Sequence, residues 1–467
     1  MSQSLPTSSS SLQTLDAILN EILLPHISNP HLATSLRNIA KRGENGEYLL
    51  AGTLLQAGGS GTDGSVAPGM TVGADPLTLL DPYVNTLGYL YILTARLIIQ
   101  NPLPVTLAVV ESFCQSFNPE VARLVPERVT LLAQLIVKIT EAENNLSSAI
   151  GPLETLLRRY TPSLDYLTTI HSQFVHACVA TRNYAAALPI LQFSISEIDT
   201  RLSPLSYHDV LNYHYIGALA LLGLRNYQLA SKYLELVVSA PTQSHPSALQ
   251  LEALKKLTIV RLILYGATRP LPRYSNPNLS RLIKSTPYAS FPRVFPSTPD
   301  VLQEIVDKDL KVFQTDCNMG LVRQLLEYGP RWAIRRLTAT YITLSLKEIG
   351  KAVGVPDEQI VRDIVLSMIE RSEIKAELNG NTVVFLDDDL AEAGLDSQSF
   401  SPKEIEKLLK STQAQSALLA ELDREVARSK EFLIRALKDK EVSAGVLIDE
   451  ELFNIDGAGH GMKDWDD

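Results

Sequence analysis

A short repeated motif in the centre of the chain limits its possible folds more than any other sequence feature. The tripeptide Arg182–Tyr184 occurs again as Arg225–Tyr227, 43 residues later. In both copies a small residue and then a leucine follow the tyrosine on the same helix face, namely Ala187 and Leu191, and Ala230 and Leu234. Pairs of such helices stacked on similar neighbours form a solenoid, so the motif predicts repeats similar to tetratricopeptide repeats. The alternative is two unrelated amphipathic helices that share a tripeptide.

Helical spacing of apolar residues extends over most of the chain from Leu12 to Tyr265. It predicts N-terminal helical repeats over residues 1–160 and tetratricopeptide-like repeats over residues 161–265. The stretch Gly58–Ala74 lacks this spacing and is rich in glycine, so we expect a flexible loop there. It lacks the Gly-Lys-Ser/Thr ending of a P-loop, and no β-rich strand precedes it, which argues against a phosphate-binding loop.

A proline-rich, basic connection is predicted over residues 266–300. Proline removes a backbone donor and disfavours helix in the preceding residue, so long helices are not expected here. Acidic residues are absent between the first and last of its basic residues, Arg269, Arg273, Arg281, Lys284 and Arg293. The connection is either a solvated linker or a contact for an acidic partner.

The pattern after residue 300 predicts a winged helix within residues 301–390. Three helices come first, and a shorter one follows, with Ser345 as its N-cap and Gly354 at its end; they are predicted at Val301–Val312, Leu321–Tyr328, Ile334–Tyr341 and Lys347–Val353. A further helix at Asp357–Arg371 leads to a hairpin with Asn379-Gly380 at its turn. Its strands are expected at Ile374–Leu378 and Val383–Leu386. Helix, turn, helix and hairpin in this order form a winged helix-turn-helix.

The charge of this region argues against nucleic acid as a partner. Five acidic residues and two arginines lie between Asp357 and Glu373, in the helix that would enter a DNA groove. The whole chain has a formal net charge of -10 and a pI of about 5.4. DNA binding depends on neutralising phosphates, and anionic membranes also repel an acidic chain. We therefore expect neither a nucleic-acid nor a membrane partner.

A long C-terminal helix is predicted over residues 401–440, followed by an acidic, disordered tail at 441–467. A single helix of this length cannot bury its own apolar face, so it needs a partner surface. It packs either on the same chain or, as we favour, on other chains. The apolar residues predicted at that interface are Leu408, Leu418, Leu422, Val426, Leu433 and Leu437.

No catalytic or metal-binding constellation is found in the sequence. None of the eight histidines forms a His-x-His or a His-Glu-x-x-His motif. Cys114, Cys178 and Cys317 lie far apart, which argues against a disulfide framework and favours a reducing compartment. The N-terminus lacks the basic and apolar regions of a secretory signal. We expect a non-enzyme without cofactors in the nucleus and cytoplasm.

Several short motifs resemble the PCI-domain family, which is shared by the proteasome lid, the COP-nine signalosome and translation initiation factor three. The segment Thr343–Ile349 is similar to the start of the PCI winged helix. Tyr213–Gly217, Gly223–Tyr227 and Cys317–Val322 resemble the subunit-three family of the signalosome. A lid or initiation-factor subunit is the alternative, and a nucleic-acid-binding PCI protein of the messenger-export type is disfavoured by the acidic helix.

The resemblance implies a scaffold that docks on other signalosome subunits through winged-helix edges and a C-terminal helical bundle. The signalosome removes the ubiquitin-like modifier Nedd8 from cullin–RING ubiquitin ligases, and its metalloprotease is another subunit. The resemblance also allows direct contact between this chain and the cullin–RING ligases. The winged-helix residues expected at the subunit interface are Leu344, Ile349, Ile374, Ala376, Leu378, Val383 and Phe385.

Overall fold

The structure is a computed structural model that describes most of the chain in two compact units, within residues 1–387 and 388–467. The described residues are 15–23, 28–51, 75–99, 105–242, 245–272, 274–386, 402–430, 432–434 and 437. The predicted Gly-rich loop at 58–74 and acidic tail at 441–467 lie outside the described residues, as do Leu12 and Arg273.

The first unit is built almost entirely of helices. They are numbered α1 to α21 in chain order and span Leu15–Leu23, Asn29–Ala40, Glu44–Ala51, Pro76–Leu79, Thr86–Ile99, Leu107–Ser116, Pro119–Ala122, Pro126–Ala142, Ile150–Tyr160, Thr169–Ala180, Tyr184–Leu191, Tyr207–Gly223, Tyr227–Ser239, Ala248–Tyr265, Pro277–Lys284, Phe291–Val294, Pro299–Lys308, Leu310–Thr315, Met319–Thr338, Leu346–Val353 and Glu358–Glu370. Short 3-10 helices lie at Leu146–Ala149 and Pro287–Ala289. None of the described helices is long and apolar enough to cross a membrane.

Successive helices stack into a mainly α solenoid, which confirms the predicted fold class. Helix α10 packs on α12, α12 on α13, and α13 on α14. One apolar core extends through these helices from Ile18 to Leu325, and a second, smaller core lies in the winged helix. The division into domains along these helices stays a prediction.

The repeated tripeptide marks a repeated backbone turn. Arg182 and Arg225 both have a φ of 58°, in the left-handed region that L-residues rarely adopt. The following residues, Asn183 and Asn226, donate their backbone N–H groups to the carbonyl five residues earlier, at 2.9 Å in both cases. This is the hydrogen bond of a Schellman helix end, and each asparagine then begins the next helix. The shared geometry supports a structural repeat rather than two unrelated helices.

The same turn occurs at two places that lack the tripeptide. Asn144 and Cys317 each have a φ of 54°. The next residue, Asn145 or Asn318, donates its N–H to the carbonyl five residues earlier at 2.9 Å and 3.0 Å, respectively. The turn is therefore a recurring way of joining helices in the described part of the solenoid, where the tripeptide marks two of these four copies. Outside the solenoid, the same turn follows α21 at Ser372.

The proline-rich segment is packed into the core, so a solvated linker is the wrong interpretation. Tyr288 and Phe291 are fully buried in it. The Tyr288 hydroxyl donates to Asp316 Oδ2 at 2.9 Å, and Lys255 Nζ binds the same carboxylate at 3.0 Å. Asn318 Nδ2 donates to the Tyr288 hydroxyl at 2.7 Å. A buried polar network thus ties this segment to α14 and to the turn before α19.

Helix α19 connects the solenoid to the winged helix and corrects one prediction. Leu321–Tyr328 and Ile334–Tyr341 were expected as separate helices, whereas the chain is helical from Met319 to Thr338 with Pro330 inside the helix. Both ends of this helix bury apolar residues, and tertiary packing of that kind outweighs the propensity of proline to end a helix.

Helix α19 packs against the C-terminal end of α14. Gly266 has a φ of 67°, and a Cβ placed there would lie 2.5 Å from Trp332 on α19. The Trp332 indole N–H donates to the carbonyl of Ile263 at 2.9 Å. Glycine is required here both by the left-handed φ and by the close approach of the ring.

A three-stranded antiparallel sheet completes the winged helix. Its strands are β1 (Thr343–Ser345), β2 (Ala376–Asn379) and β3 (Thr382–Phe385), in the order β1-β3-β2. The hairpin of β2 and β3 was predicted, but its turn residues are Gly380 and Asn381, one position later than expected, because Gly380 takes the positive φ of 62°. Strand β1 was not predicted.

The second unit contains the 27-residue helix α22, Pro402–Arg428. It lies within the predicted helix over residues 401–440, and residues 432–434 and 437 are also helical.

Candidate assembly surfaces

The first helix of the winged helix, α20, is fixed at both ends. Ser345 and Glu348 form a reciprocal capping box, in which the Glu348 N–H donates to Ser345 Oγ at 3.3 Å and the Ser345 N–H donates to Glu348 Oε2 at 3.0 Å. Hydrogen bonds from the Ser345 side chain and backbone lower the pKa of the Glu348 carboxyl. Gly354 ends the helix with a φ of 80°, and a Cβ there would lie 2.9 Å from Thr298. The predicted cap and stop are both present.

The second helix, α21, is held against α19 by one arginine. Arg331 Nη1 binds both carboxylate oxygens of Glu373, at 2.9 Å and 3.1 Å. Its Nη2 donates to Ser367 Oγ at 2.7 Å. Because one guanidinium binds a carboxylate and a hydroxyl at two points of the winged helix, this contact helps to fix how the winged helix is oriented on α19.

The helix that would enter a DNA groove presents an acidic face. Its Arg362 is directed to the hairpin turn, where Nη2 donates to the carbonyl of Gly380 at 2.9 Å and to Asn381 Oδ1 at 2.8 Å. Asp363 and Glu370 remain exposed. The exposed charge of α21 therefore disfavours contact with phosphate.

The sheet has two edge strands, β1 and β2, of which β2 is the longer. Strand β3 lies between them, so within the described residues β2 pairs with β3 alone. Leu386 donates its N–H to the carbonyl of Lys375 at 2.9 Å, which makes residues 375 and 386 a hydrogen-bonded pair. Because such pairs alternate along an antiparallel ladder, the backbone groups of Ala376 and Leu378 point away from β3. Unpaired groups of this kind are a template for a strand from another chain.

The side chains predicted at the winged-helix interface form the module's own core instead. Leu344 and Leu378 are partly buried against that core. The other five are buried within it, namely Ile349, Ile374, Ala376, Val383 and Phe385. Inward alternation places the strand residues among them in the module's core, and Ile349 enters the same core from α20. Their part in a subunit interface stays a prediction. The backbone edges of the sheet remain as candidate contacts for another chain.

Three apolar side chains at the end of the sheet are exposed, and the sequence analysis missed them. The exposed fractions are 46% for Tyr341, 74% for Ile342 and 49% for Leu386. Phe385 donates its N–H to the carbonyl of Ile342 at 2.8 Å, so these residues are neighbours across β1 and β3. Their signal is a run of apolar residues that continues beyond the strand ends. Together they form an exposed apolar surface next to the strand edges.

Helix α22 exposes an apolar stripe within the second unit. At about 100° per residue, Leu408, Leu419, Leu422 and Val426 lie on one face. All four are about half exposed, as are Leu433 and Leu437 beyond the end of α22. Leu418, a predicted interface residue, lies to one side of the stripe, and Leu419, which was not predicted, lies within it.

The described residues contain no cluster of three or more His, Cys, Asp or Glu side chains that could hold a metal ion. Burial raises the pKa of the Cys114 and Cys178 thiols to about 12, so both are protonated and unreactive at neutral pH. His214 places Nδ1 2.8 Å from the carbonyl of Val210, one turn earlier on α12. Cys114 and Cys178 are thus packed in the core, and His214 is held by a hydrogen bond within its own helix.

The comparisons with known proteins agree with this architecture. Residues 74–279 match the family model of the N-terminal helical repeats of COP9 signalosome complex subunit 3. A COP9 signalosome complex subunit 3 from Dictyostelium discoideum is 31% identical over 315 residues, which cover 65% of this chain and 73% of the relative. Its counterpart from Arabidopsis thaliana is 28% identical over 326 residues, with 68% and 74% covered.

A helical solenoid followed by a winged helix with an acidic second helix is the architecture of a PCI-type protein. Within that class, the chain belongs to the family of COP9 signalosome complex subunit 3.

Proposed function

We propose that this chain is a non-catalytic scaffold subunit of the COP9 signalosome, the complex that removes Nedd8 from cullin–RING ubiquitin ligases. The winged-helix edge and the C-terminal helix join it to other subunits. The observation that carries the proposal is the similarity over about two thirds of the chain to relatives named as subunit 3 of this complex. Those names favour the signalosome over the proteasome lid or initiation factor three.

Two features of the geometry support a scaffold. The open edge of β2 and the exposed stripe of α22 are surfaces of the kind that other chains cover. The described histidines and cysteines, by contrast, are placed as packing or surface groups without a metal-binding arrangement. A subunit of this kind positions other subunits and does not itself catalyse a reaction.

Ala376→Pro is expected to prevent strand pairing at the β2 edge. The substitution removes the N–H that points away from β3 and leaves the ladder bonds between β2 and β3 in place. We expect recovery of the neighbouring subunit with the tagged chain to fall about tenfold, in line with the loss of about 1.4 kcal/mol or more of binding free energy. Quantitative mass spectrometry of the purified complex measures this.

The matched control is Ala376→Val, which adds comparable bulk at the same buried position and keeps the N–H. Thermal unfolding of both variants separates a folding defect from an edge defect. Equal recovery of partner subunits with the two variants would show that the β2 edge is not an interface.

Leu419→Glu combined with Leu422→Glu is expected to remove the chain from the helical bundle. Two carboxylates on the apolar stripe cannot be buried without a large desolvation cost. The control, Gln413→Glu with Ala417→Glu, adds the same charge to the opposite face of α22. The expected result is loss of several subunits at once with the stripe variant and full recovery with the control, and similar recovery with both would contradict the bundle.

The identity of the complex is tested by affinity purification of the tagged chain with a cleavage assay on Nedd8-modified cullin. We expect cleavage by the complex and none by the isolated chain. Recovery of proteasome or initiation-factor subunits instead would overturn the assignment. The proposed compartment, the nucleus and cytoplasm, is a prediction that imaging of the tagged chain checks.

A further inference from the structure

A cavity of about 350 Å³ lies where α14 meets the proline-rich segment. Its walls come from α14, the loop after it, α15 and α16. No aspartate or glutamate is among the described residues that line it, whereas four cationic side chains are, namely Arg261, Arg269, Lys284 and Arg293. In a chain with a net charge of -10, this is a local concentration of positive charge.

The innermost cation of the cavity is Arg261, which is only 6% exposed. Its Nη2 binds Glu235 at 2.9 Å and its Nη1 donates to the carbonyl of Arg269 at 2.9 Å. Its Nε is buried and has no hydrogen-bond partner among the described residues. A buried N–H donor without an acceptor costs free energy, so a ligand that brings an acceptor oxygen to this donor is favoured.

The cations at the mouth of the cavity are available to a ligand. Lys284 and Arg293 are exposed and, within the described part of the chain, have no carboxylate oxygen within 4.0 Å. Arg269 stacks on the ring of Tyr265, with its guanidinium carbon 4.5 Å from the ring centroid. Stacking leaves the guanidinium donors of Arg269 free to bind an anion.

The inner wall of the cavity is apolar. Leu254 and Leu257 are buried there, and Thr258 uses its hydroxyl to donate to the carbonyl of Leu254 at 2.9 Å. Pro270 and Ile283 also line it. The cavity thus combines an apolar inner surface with a cationic mouth, which suits an anion carried on an apolar body.

We propose that this cavity binds a phosphate monoester. Several cations line one concave space of limited volume, which favours a single multiply charged group over an extended acidic segment. Arginine and lysine bind phosphate oxygens by charge-assisted hydrogen bonds, and the apolar wall holds the organic part. The phosphate comes from a free organic phosphate or from a phosphorylated side chain of another protein. The proposal is independent of the scaffold function.

The test is calorimetric titration of the full-length chain with phenyl phosphate at constant ionic strength. The probed variant is Lys284→Gln with Arg293→Gln, since both residues are exposed and Arg261 is needed for its ion pair with Glu235. The matched control is Arg281→Gln, an exposed basic residue on α15 that does not line the cavity. We expect saturable binding that weakens about tenfold or more in the double variant and stays within about twofold in the control.

Peptides distinguish the two sources of the phosphate. A phosphotyrosine peptide that binds at least tenfold more tightly than phenyl phosphate supports a phosphorylated partner, and equal affinity supports a free organic phosphate. Absence of saturable binding, or equal weakening in the Arg281→Gln control, overturns the site. If the same peptide with glutamate in place of phosphotyrosine binds as tightly, the phosphate specificity is overturned in favour of an acidic segment.

Discussion

Arg128→Met is expected to lower the free energy of unfolding of the chain by about 3–5 kcal/mol, the cost of breaking a buried ion pair. Arg128 on α8 binds both carboxylate oxygens of Glu47 on α3, each at 2.6 Å. Its guanidinium carbon also lies 4.6 Å from the ring centroid of Tyr91. The methionine keeps most of the packing but leaves the Glu47 carboxylate in the protein interior without a partner.

Chemical unfolding followed by circular dichroism measures this loss. The control is the double variant Arg128→Met with Glu47→Leu, which removes both charges together. We expect the double variant to be more stable than Arg128→Met alone, because no uncompensated charge remains. Equal destabilisation in both would show that the cost comes from packing rather than from the unpaired carboxylate.

Acidification is expected to destabilise the repeats through His171, by up to about 3 kcal/mol. Burial lowers the pKa of this histidine from 6.5 to about 4, against an opposing hydrogen bond from the backbone of Thr168. The unfolded chain therefore binds a proton near pH 6.5 that the folded chain binds only near pH 4. Stability is unaffected above about pH 6.5 and falls progressively as the pH is lowered towards 4.

His171→Gln isolates this contribution. Glutamine at the third helical position is the usual partner of a threonine N-cap, so the variant retains the capping box at Thr168. The free energy of unfolding is measured between pH 4 and pH 7.5 for both chains, and the carboxylates that also titrate there cancel in the difference. We expect a shallower pH dependence in the variant, and identical curves would exclude His171 as the source.

Local signals made the winged helix and the repeats predictable. Ser345 and Gly354 define α20 by their capping chemistry, and Gly380 defines a tight turn, each within a few residues. The turns at Arg182 and Arg225 could be recognised in the sequence because both have the same tripeptide as well as the same backbone conformation. At Asn144 and Cys317 the following asparagine is shared but the arginine and the tyrosine are not, so the full tripeptide is absent.

The features that could not be predicted depend on contacts between residues that are far apart in the sequence. Strand β1 has three residues and forms only because β3, about 40 residues later, pairs with it. The burial of the predicted interface side chains follows from how α20 and α21 cover the sheet, which period-two alternation alone does not specify. The cavity beside Arg261 likewise requires that α14 and the proline-rich segment pack together. The sequence showed that the proline-rich segment is basic, but not that its basic side chains line one cavity.

A buried arginine gives the first unit a site where foreign sequence can be inserted. Arg96 Nε donates to the carbonyl of Ala51 at 2.9 Å, and its Nη1 binds Asp75 Oδ1 at 2.7 Å. One side chain therefore holds both residues that flank the 23 positions between them. Because lengthening a segment between fixed ends costs only about 0.6 kcal/mol per doubling, we expect a short epitope tag inserted there to leave the helices on either side anchored. The complex can then be labelled or captured through a position remote from the winged helix and from α22 in sequence.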